Sequence, residues 1–389
     1  MSILVTNEIK PLKKVLLHRP GDELINLTPR TLKHYLFDDI PYLKVAQREH
    51  DIFAEKFREN GVEVVYLEDL AAEVIKDRKI RDRFIRQFIQ EAEALKYQDE
   101  LYEYLNGIED EKELILKTMS GVNIRDIRKK GISKMITTPM PNLYFTRDSF
   151  ACVGRGVSLN KMLSVVRQRE TIYGEYIFKY HKDYRNTEIL YDRHSKHHIE
   201  GGDITNLSES VLAIGISERT ERKGIDDLAR NIFNSKKNQQ ITKILIFKIP
   251  DKRAFMHLDT VFTQVDYDKF VVHPEIIGPL EVYLVEKGKR TIKINKPLKD
   301  VLEEALGIEN ITMIKCGGDD IIASQREQWN DGSNTLCIAP GLCIVYERNE
   351  VTNRELERNG VRIITMPSSE LSRGRGGPRC MSMPLERER

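Results

Sequence analysis

The chain has 389 residues, which suits one large domain or two to three smaller ones, and its 40% of hydrophobic residues are enough for a sizeable core. Its 62 basic and 60 acidic residues leave a net charge of +2, which argues against a nucleic-acid or membrane-surface protein. Five cysteines, no signal-peptide pattern in residues 1–20 and no apolar run of membrane-spanning length together predict a cytoplasmic protein with free thiols.

The N-terminal part of the chain predicts mixed α/β structure. Residues 15–17 form a short apolar run before a turn, residues 41–61 carry apolar side chains at helical spacing, and residues 62–67 alternate as a strand. Residues 70–130 are then dense in charge, apolar at helical spacing and free of proline. We therefore predict a single α/β domain over residues 1–389, with a small helical module inserted at residues 70–130.

A weak repeat follows the helical module. An acidic turn residue precedes a short apolar strand at Asp148, Asp203 and Asp259, and these positions lie 55 and 56 residues apart. Repeated strand–turn units of this length predict a propeller-like pseudosymmetric ring whose turns converge on one axis. That arrangement would bring the three aspartates close to Cys380. Further copies are indicated at Asn334-Thr335 and at residues 15–21.

Several of these turns carry residue types that could do chemistry. Cys380 ends a loop rich in glycine and arginine, where positive charge would lower the pKa of a thiol. Judged alone, this loop fits a flexible basic tail or an RGG-like nucleic-acid segment better than it fits a nucleophile. Glu200 and Asp203 flank a Gly-Gly turn, and His257 and Asp259, two residues apart, would point the same way on an extended backbone.

The substrate that suits these carboxylate, thiol and histidine side chains is a compact, planar cation. Several carboxylates in one pocket match the N–H donors of a guanidinium group, whose charge would offset the cost of burying the acids. The thiol would attack the central carbon of that group, and a histidine would pass protons to the leaving amine. The three histidines at positions 194, 197 and 198 lack a cysteine or carboxylate at an established zinc spacing, so we predict no metal.

Five motifs, which occur in order over nearly the whole chain, closely resemble those of arginine deiminases. They are residues 142–148, residues 200–203, residues 216–220, residues 257–260 and residues 376–384, and residues 18–21 and 36–40 near the N-terminus resemble the family as well. The resemblance implies the five-fold pseudosymmetric α/β propeller of guanidine-modifying enzymes, with an inserted small helical bundle. It also implies hydrolysis of L-arginine to L-citrulline and ammonia without metal or organic cofactor.

The resemblance further implies a role for each catalytic residue. Cys380 would be the nucleophile of a covalent thiouronium intermediate, and His257 would act first as general acid and then as general base. Glu200 would pair with His257, while Asp148 and Asp259 hold the guanidinium nitrogens.

Five further residues are implied to contact the amino-acid part of the substrate: Asn142, Phe145, Arg167, Arg219 and Arg375. Of these, Arg167 and Arg219 would grip the carboxylate. An agmatine deiminase is disfavoured on this ground, because agmatine lacks the carboxylate that the two arginines would bind.

Other functions remain open at this point. An amidinotransferase would need an open route for an amine acceptor, which the sequence does not exclude. A silent arginine-binding or surface interaction protein is disfavoured because Cys380 and His257 are both present, and an RNA-binding protein is disfavoured by the net charge. We also expect a homo-oligomer, a dimer or higher, and leave Arg373 and Arg379 without a role.

Overall fold

The computed structural model describes residues 3–128, 133–278 and 280–388. Short strands and helices alternate along most of this length, so the predicted α/β class is confirmed. The strands are β1 (Leu12–Leu17), β2 (Glu63–Tyr66), β3 (Phe150–Val153), β4 (Gly156–Leu159), β5 (Glu188–Tyr191), β6 (Ile204–Asn206), β7 (Val211–Ile216), β8 (Lys243–Lys248), β9 (Phe262–Gln264), β10 (Lys269–Val272), β11 (Glu281–Glu286), β12 (Ile292–Ile294), β13 (Thr312–Lys315), β14 (Leu336–Ala339), β15 (Leu342–Tyr346), β16 (Arg362–Met366) and β17 (Met383–Arg387).

The helices include a continuous group between β2 and β3. The α-helices are α1 (Leu43–Glu59), α2 (Leu67–Ile75), α3 (Arg78–Glu91), α4 (Gln98–Asn106), α5 (Glu111–Ser120), α6 (Ile124–Arg128), α7 (Thr146–Ser149), α8 (Val165–Gln168), α9 (Thr171–Tyr180), α10 (Arg222–Asn234), α11 (Pro274–Ile277), α12 (Leu298–Leu306), α13 (Ile321–Trp329) and α14 (Glu350–Arg358). Four 3₁₀ turns complete the elements of the described residues, at Leu95–Tyr97, Gly201–Asp203, Leu258–Thr260 and Leu371–Gly374.

The strands form five sheets that share one pattern of pairing. In each sheet a first strand pairs antiparallel with a second, and the second pairs parallel with a third after a helical crossover. The units are β3-β4-α9-β5, β6-β7-α10-β8, β9-β10-α12-β13, β14-β15-α14-β16 and β17-β1-α1-β2. This five-fold repetition of one unit agrees with the repeat in the sequence, while the arrangement of the sheets as a propeller stays a prediction.

The fifth unit is assembled from both ends of the chain. Strand β17 pairs antiparallel with β1, with Met383 opposite Leu16, and β1 pairs parallel with β2. The buried side chain of Arg387 holds this closure by donating to the carbonyl oxygens of Lys10, at 2.7 Å, and Cys337, at 2.8 Å. The turn before β17, which contains Cys380, therefore corresponds to the turns before β3, β6, β9 and β14.

The helical module begins at Leu67, three residues before the predicted boundary, and its described part ends at Arg128. Residues 129 and 130 of the predicted range lie outside the described residues. Asp77 caps the N-terminus of α3 by accepting from the amides of Lys79 and Ile80. Apolar side chains of α2 to α5 share one buried cluster with β3, β4, α9 and the central strands β7 and β8, so the module packs onto the first two units.

Strands β7 and β8 lie inside a five-stranded sheet, in the order β12-β11-β8-β7-β6. Their side chains are buried almost throughout, as continuous apolar runs in paired parallel strands require. The hairpin β11-β12, which extends this sheet, was not predicted. Among the helices of the described residues, none combines the length and the apolar character needed to cross a membrane.

Candidate active site

The turns before the first strands of the five units supply the candidate site. Asp148 lies in α7 before β3, Glu200 precedes the 3₁₀ turn before β6, and His257 precedes the one before β9. Asn334 precedes β14, and Cys380 precedes β17. All five side chains are buried, and hydrogen bonds and close contacts between the turns link all five units.

The Cys380 thiol lies beside carboxylates. Its Sγ is 3.6 Å from Oδ2 of Asp259, and its backbone amide donates to Oδ1 of Asn334 at 2.9 Å. Burial raises the pKa of the thiol well above its usual range, and the charges of Asp259 and Asp148 raise it further, against the opposing effect of Arg379. Arg379 lowers this pKa, as the sequence led us to expect of a nearby arginine, but burial and the aspartates outweigh it, so the predicted net lowering of the thiol pKa is wrong.

His257 and Glu200 form a hydrogen-bonded pair, with Nε2 of the histidine 2.8 Å from Oε2 of the glutamate. Nδ1 of His257 lies 3.8 Å from Oδ1 of Asp148. Burial lowers the pKa of His257, but Asp148 and the bond to Glu200 outweigh it and raise the pKa to about 9. For Glu200 burial has the opposite effect and raises the pKa, yet the hydrogen bond with His257 brings it down to about 2. The pair is thus an imidazolium and a carboxylate near neutral pH.

His257 and Asp259 do not lie on one extended segment. Residues Leu258–Thr260 form a 3₁₀ turn, and only His257 itself has an extended conformation. The predicted backbone geometry is therefore wrong, because Asp203 bends the chain: its Oδ1 accepts from the amide of Leu258 at 2.8 Å.

Two carboxylate oxygens at the site are unused. Oδ1 of Asp148 and Oδ1 of Asp259 are buried and accept no hydrogen bond from the described residues. Their other oxygens are occupied, since Asp148 accepts from Arg167 at 2.8 Å and Asp259 accepts from Arg379 at 2.7 Å. Buried acceptors without donors are costly, so each free oxygen is available to an N–H group of a ligand.

The two arginines predicted to grip a carboxylate differ in their surroundings. Arg167 is held by Asp148 and by Glu170, whose Oε2 accepts from its Nε at 3.0 Å. Nε of Arg219 makes no hydrogen bond with the described residues and lies 3.7 Å from Oε1 of the exposed Glu218, while its Nη2 lies 3.7 Å from Sδ of Met256. Arg219 is therefore the freer of the two to bind an anion.

The remaining predicted residues line the same narrow cavity. Nδ2 of Asn142 donates to the carbonyl oxygen of Tyr35 at 2.9 Å. Nη1 of Arg375 lies 3.3 Å from Oδ2 of Asp38, and its guanidinium lies 3.5 Å above the ring centroid of Trp329. The cavity has a volume of about 20 Å³, room for about one water molecule. Its lining includes Asn142, Phe145, Asp148, Arg167, Arg219, His257, Arg375 and Cys380.

Sequence reasoning missed three residues that support the site. Asn334 links the Cys380 turn to the Asp259 turn, since its Nδ2 donates to the carbonyl oxygen of Asp259 at 3.1 Å. Its place in the repeat was the available signal. Arg379, left without a role, is buried between Asp259 and Glu8, with Nη2 at 3.3 Å from Oε1 of Glu8. The sequence carries no signal that links Glu8 to the site.

Donor atoms of Asp148, Glu200 and His257 lie within 4.8 Å of one another, close enough to surround a metal ion. Glu200 and His257 are, however, already bonded to each other, and that bond involves the histidine nitrogen Nε2. A metal ion bound through Nε2 would have to break this pair, whereas one bound through Nδ1 would leave it intact. The absence of a metal in the reaction therefore stays a prediction.

Comparison with solved structures defines the class of fold. A dimethylarginine dimethylaminohydrolase, solved as an adduct with S-methyl-L-thiocitrulline, matches with a TM-score of 0.56 and 14% identity, covering 96% of this chain and 99% of that one. SxtG, an amidinotransferase from Microseira wollei, matches with a TM-score of 0.58 and 14% identity, covering 100% and 98%. The chain therefore shares the α/β fold of these two enzymes.

Sequence comparison narrows this class. The sequence model of the arginine deiminase family matches residues 33–387. Arginine deiminase from Treponema denticola is 56% identical, and that from Streptococcus gordonii is 52% identical, with 99% of this chain and 98% of each relative covered. The chain belongs to the arginine deiminase family, as its motifs indicated.

Proposed function

We propose that this chain hydrolyses L-arginine to L-citrulline and ammonia through a covalent intermediate on Cys380. The observation that carries the proposal is a buried thiol beside Asp259, in a site where Asp148 and Asp259 each keep one carboxylate oxygen without a hydrogen bond from the described residues. A guanidinium group is planar and presents N–H donors at fixed angles, so it can satisfy both oxygens while its central carbon faces the sulfur. The full-length relatives named arginine deiminase support the same activity.

Substrate binding also activates the nucleophile. Before a cation binds, the Cys380 thiol is protonated because burial and the aspartates raise its pKa. A bound guanidinium places a positive charge beside the sulfur and offsets the aspartate charges, so the thiol proton leaves to solvent and the thiolate forms. The cation is thus both substrate and activator.

The first half of the reaction forms a bond from Sγ to the guanidinium carbon. His257, an imidazolium with a pKa of about 9, donates its proton to one terminal amino group of the adduct. The bond from carbon to that nitrogen breaks, and ammonia leaves. A cationic thiouronium remains on Cys380, and His257 is left neutral.

The second half adds water to the thiouronium carbon. Neutral His257 takes one proton from the water as its oxygen bonds to the carbon, and Glu200 stabilises the imidazolium that forms again. The bond from carbon to sulfur then breaks, the remaining hydroxyl proton returns to the thiolate, and L-citrulline is released. Asp148 and Asp259 hold the nitrogens through both halves.

Access to the site requires movement of its walls. The cavity holds about one water molecule, far less than an amino acid, whereas an outer space of about 330 Å³ adjoins it. Leu36, Arg219, Met256 and Arg375 line both spaces, so they separate the thiol from the outside. We propose that the substrate displaces this wall and that Arg219 then binds its carboxylate.

The proposal is tested by measuring citrulline and ammonia released from L-arginine, with agmatine in parallel. Cys380→Ser is expected to lower turnover at least about a thousandfold, because the hydroxyl is a far weaker nucleophile here. Cys152→Ser is the matched control, since Cys152 is a buried strand thiol in β3, and it should keep turnover.

A preference for agmatine, or near-normal turnover by Cys380→Ser, would contradict the proposal. We also propose a cytoplasmic homo-oligomer. Free thiols at all five cysteines agree with a reducing compartment, and light scattering of the purified chain would give its oligomeric state.

A further inference from the structure

Glu49 anchors a loop that leads into the candidate site, although its own side chain does not line the cavity. It lies on α1, where it is buried, and its carboxylate accepts from the backbone amides of three consecutive residues. The distances are 2.6 Å from Ser369, 3.0 Å from Glu370 and 2.9 Å from Leu371. The hydroxyl of Ser369 donates to the same carboxylate at 2.7 Å.

These amides open the 3₁₀ turn Leu371–Gly374, and Arg375 ends it. The amide of Arg375 donates to the carbonyl oxygen of Ser372 at 3.1 Å. Arg375 has a φ of 64°, a left-handed conformation that a residue with a side chain rarely adopts. The direction in which the Arg375 side chain leaves the backbone is therefore set by the turn that Glu49 holds.

The opposite side of the loop packs against aromatic rings. A Cβ atom on Gly374 would collide with the hydroxyl of Tyr144, and one on Gly376 would collide with the ring of Phe145. The loop is thus fixed between two surfaces, with the carboxylate of Glu49 on one side and these two rings on the other.

We propose that Glu49 is a positioning residue for L-arginine binding, which acts by fixing the backbone turn from which the Arg375 side chain reaches the substrate. The inference rests on the proposed function, because it takes Arg375 as a contact of the substrate. Removing the negative charge from Glu49 replaces an acceptor by an N–H group that faces other N–H groups, so the turn loses its anchor.

The test uses Glu49→Gln with Glu55→Gln as the matched control, since Glu55 lies on the same helix but is exposed beside Arg58. Hydrogen exchange at the amides of Glu370 and Leu371 is expected to become at least about tenfold faster in Glu49→Gln. L-arginine binding is measured by calorimetry in a Cys380→Ser background, where Kd should rise about tenfold. The control should change neither quantity.

A double-mutant cycle separates positioning from a general structural role. If Glu49 acts through Arg375, then adding Glu49→Gln to Arg375→Ala should raise Kd by less than about twofold. If the increases in Kd caused by Glu49→Gln and Arg375→Ala multiply in the double mutant, the proposal is overturned. Unchanged hydrogen exchange at the amides of Glu370 and Leu371 would also overturn it. If Glu49→Gln does not fold, Ser369→Ala serves as the second variant, because it removes one hydrogen bond to the Glu49 carboxylate. It should raise Kd about twofold to threefold, and an unchanged Kd would overturn the proposal.

The exchange measurement needs no turnover, so the two proposals can fail separately. A wild-type chain that does not act on L-arginine contradicts the proposed function, whereas unaltered exchange at Glu370 and Leu371 contradicts the anchor itself.

Discussion

At the scale of single residues, the surroundings of Cys380 and His257 suit a cationic substrate. Before substrate binds, the thiol is protonated and the imidazole is charged, because burial and carboxylates act on the two groups. The positive charge of the substrate lowers the pKa of the thiol and so favours the thiolate. A water molecule or neutral solute in the pocket would leave the thiol protonated, which protects it from reaction when no substrate is bound.

The pH dependence of turnover tests the role of His257 as an acid. Its pKa of about 9 lies above the ordinary value, so the imidazolium is present below about pH 9 and is lost as the pH rises through that value. We expect kcat/KM, which reports ionisations of the free enzyme, to fall above about pH 9. Glu200→Gln removes a charge that favours the imidazolium. The fall in activity at high pH, the alkaline limb of the pH profile, should therefore begin about one pH unit lower.

Glu221→Gln is the control for that shift. Glu221 bonds the ring of His197 and is not among the groups that shift the pKa of His257, so the fall in activity should stay at the same pH. An alkaline limb that does not move in Glu200→Gln would contradict the pairing of Glu200 with the catalytic proton.

Arg219→Ala tests recognition of the substrate carboxylate. The variant should lose about 1.5–3 kcal/mol of binding to L-arginine, the typical value of a hydrogen bond to a charged group, and little binding to agmatine. The ratio of the two kcat/KM values measures this difference. Arg222→Ala, which removes a surface pair with Asp226, is the control. Equal losses for both substrates would contradict the assignment of Arg219.

Most of the residues that lie together in the candidate site were named from the sequence, but their electrostatics were not predictable from it. Motifs around Asp148, Glu200, His257 and Cys380 indicated the chemistry. The sign of the Cys380 pKa shift depends on burial and on carboxylates that are distant in sequence, whereas the loop sequence shows only arginines. Glu8 and Arg379 were missed as a pair for the same reason, since 371 residues separate them.

At the scale of elements, the glycine-rich loop is shaped by close packing as well as by turns. Gly376→Ala places a Cβ atom where the ring of Phe145 now lies, and this ring lines the cavity. We expect the ring to shift and KM for L-arginine to rise about tenfold, because overpacking typically costs about 1–3 kcal/mol.

Gly278→Ala is the control for this steric effect. Its Cβ would meet no heavy atom of the described residues within 4 Å, and its φ of −69° is open to any residue. KM should therefore match that of the wild type. A normal KM in Gly376→Ala would contradict the account of the packed loop.

Helical and strand periodicity predicted which helices and strands exist better than it predicted where they end or where the local turns lie. The helix predicted at residues 41–61 is α1, which runs from Leu43 to Glu59, and the helical module begins at Leu67 rather than residue 70. The 3₁₀ turn after His257 was read as extended because its bend comes from a hydrogen bond to Asp203, 55 residues before Leu258.

At the scale of the whole molecule, five units of one topology place one turn each near the candidate site. The repeat in the sequence was weak, with three copies at nearly equal spacing and two further copies indicated. The weakest copy was the fifth unit, since its first strand β17 follows Cys380 while β1 and β2 lie at the other end of the chain. A linear repeat cannot show a unit that is split between the termini.

The central claim, covalent catalysis at Cys380, is tested most directly by mass spectrometry of enzyme quenched in acid during turnover of L-arginine. We predict that the peptide containing Cys380 gains the mass of arginine less that of ammonia, and that Glu200→Gln, which weakens the acid and base, changes how much adduct accumulates. Turnover of L-arginine with no such adduct on Cys380, or with the adduct on another residue, would contradict the account.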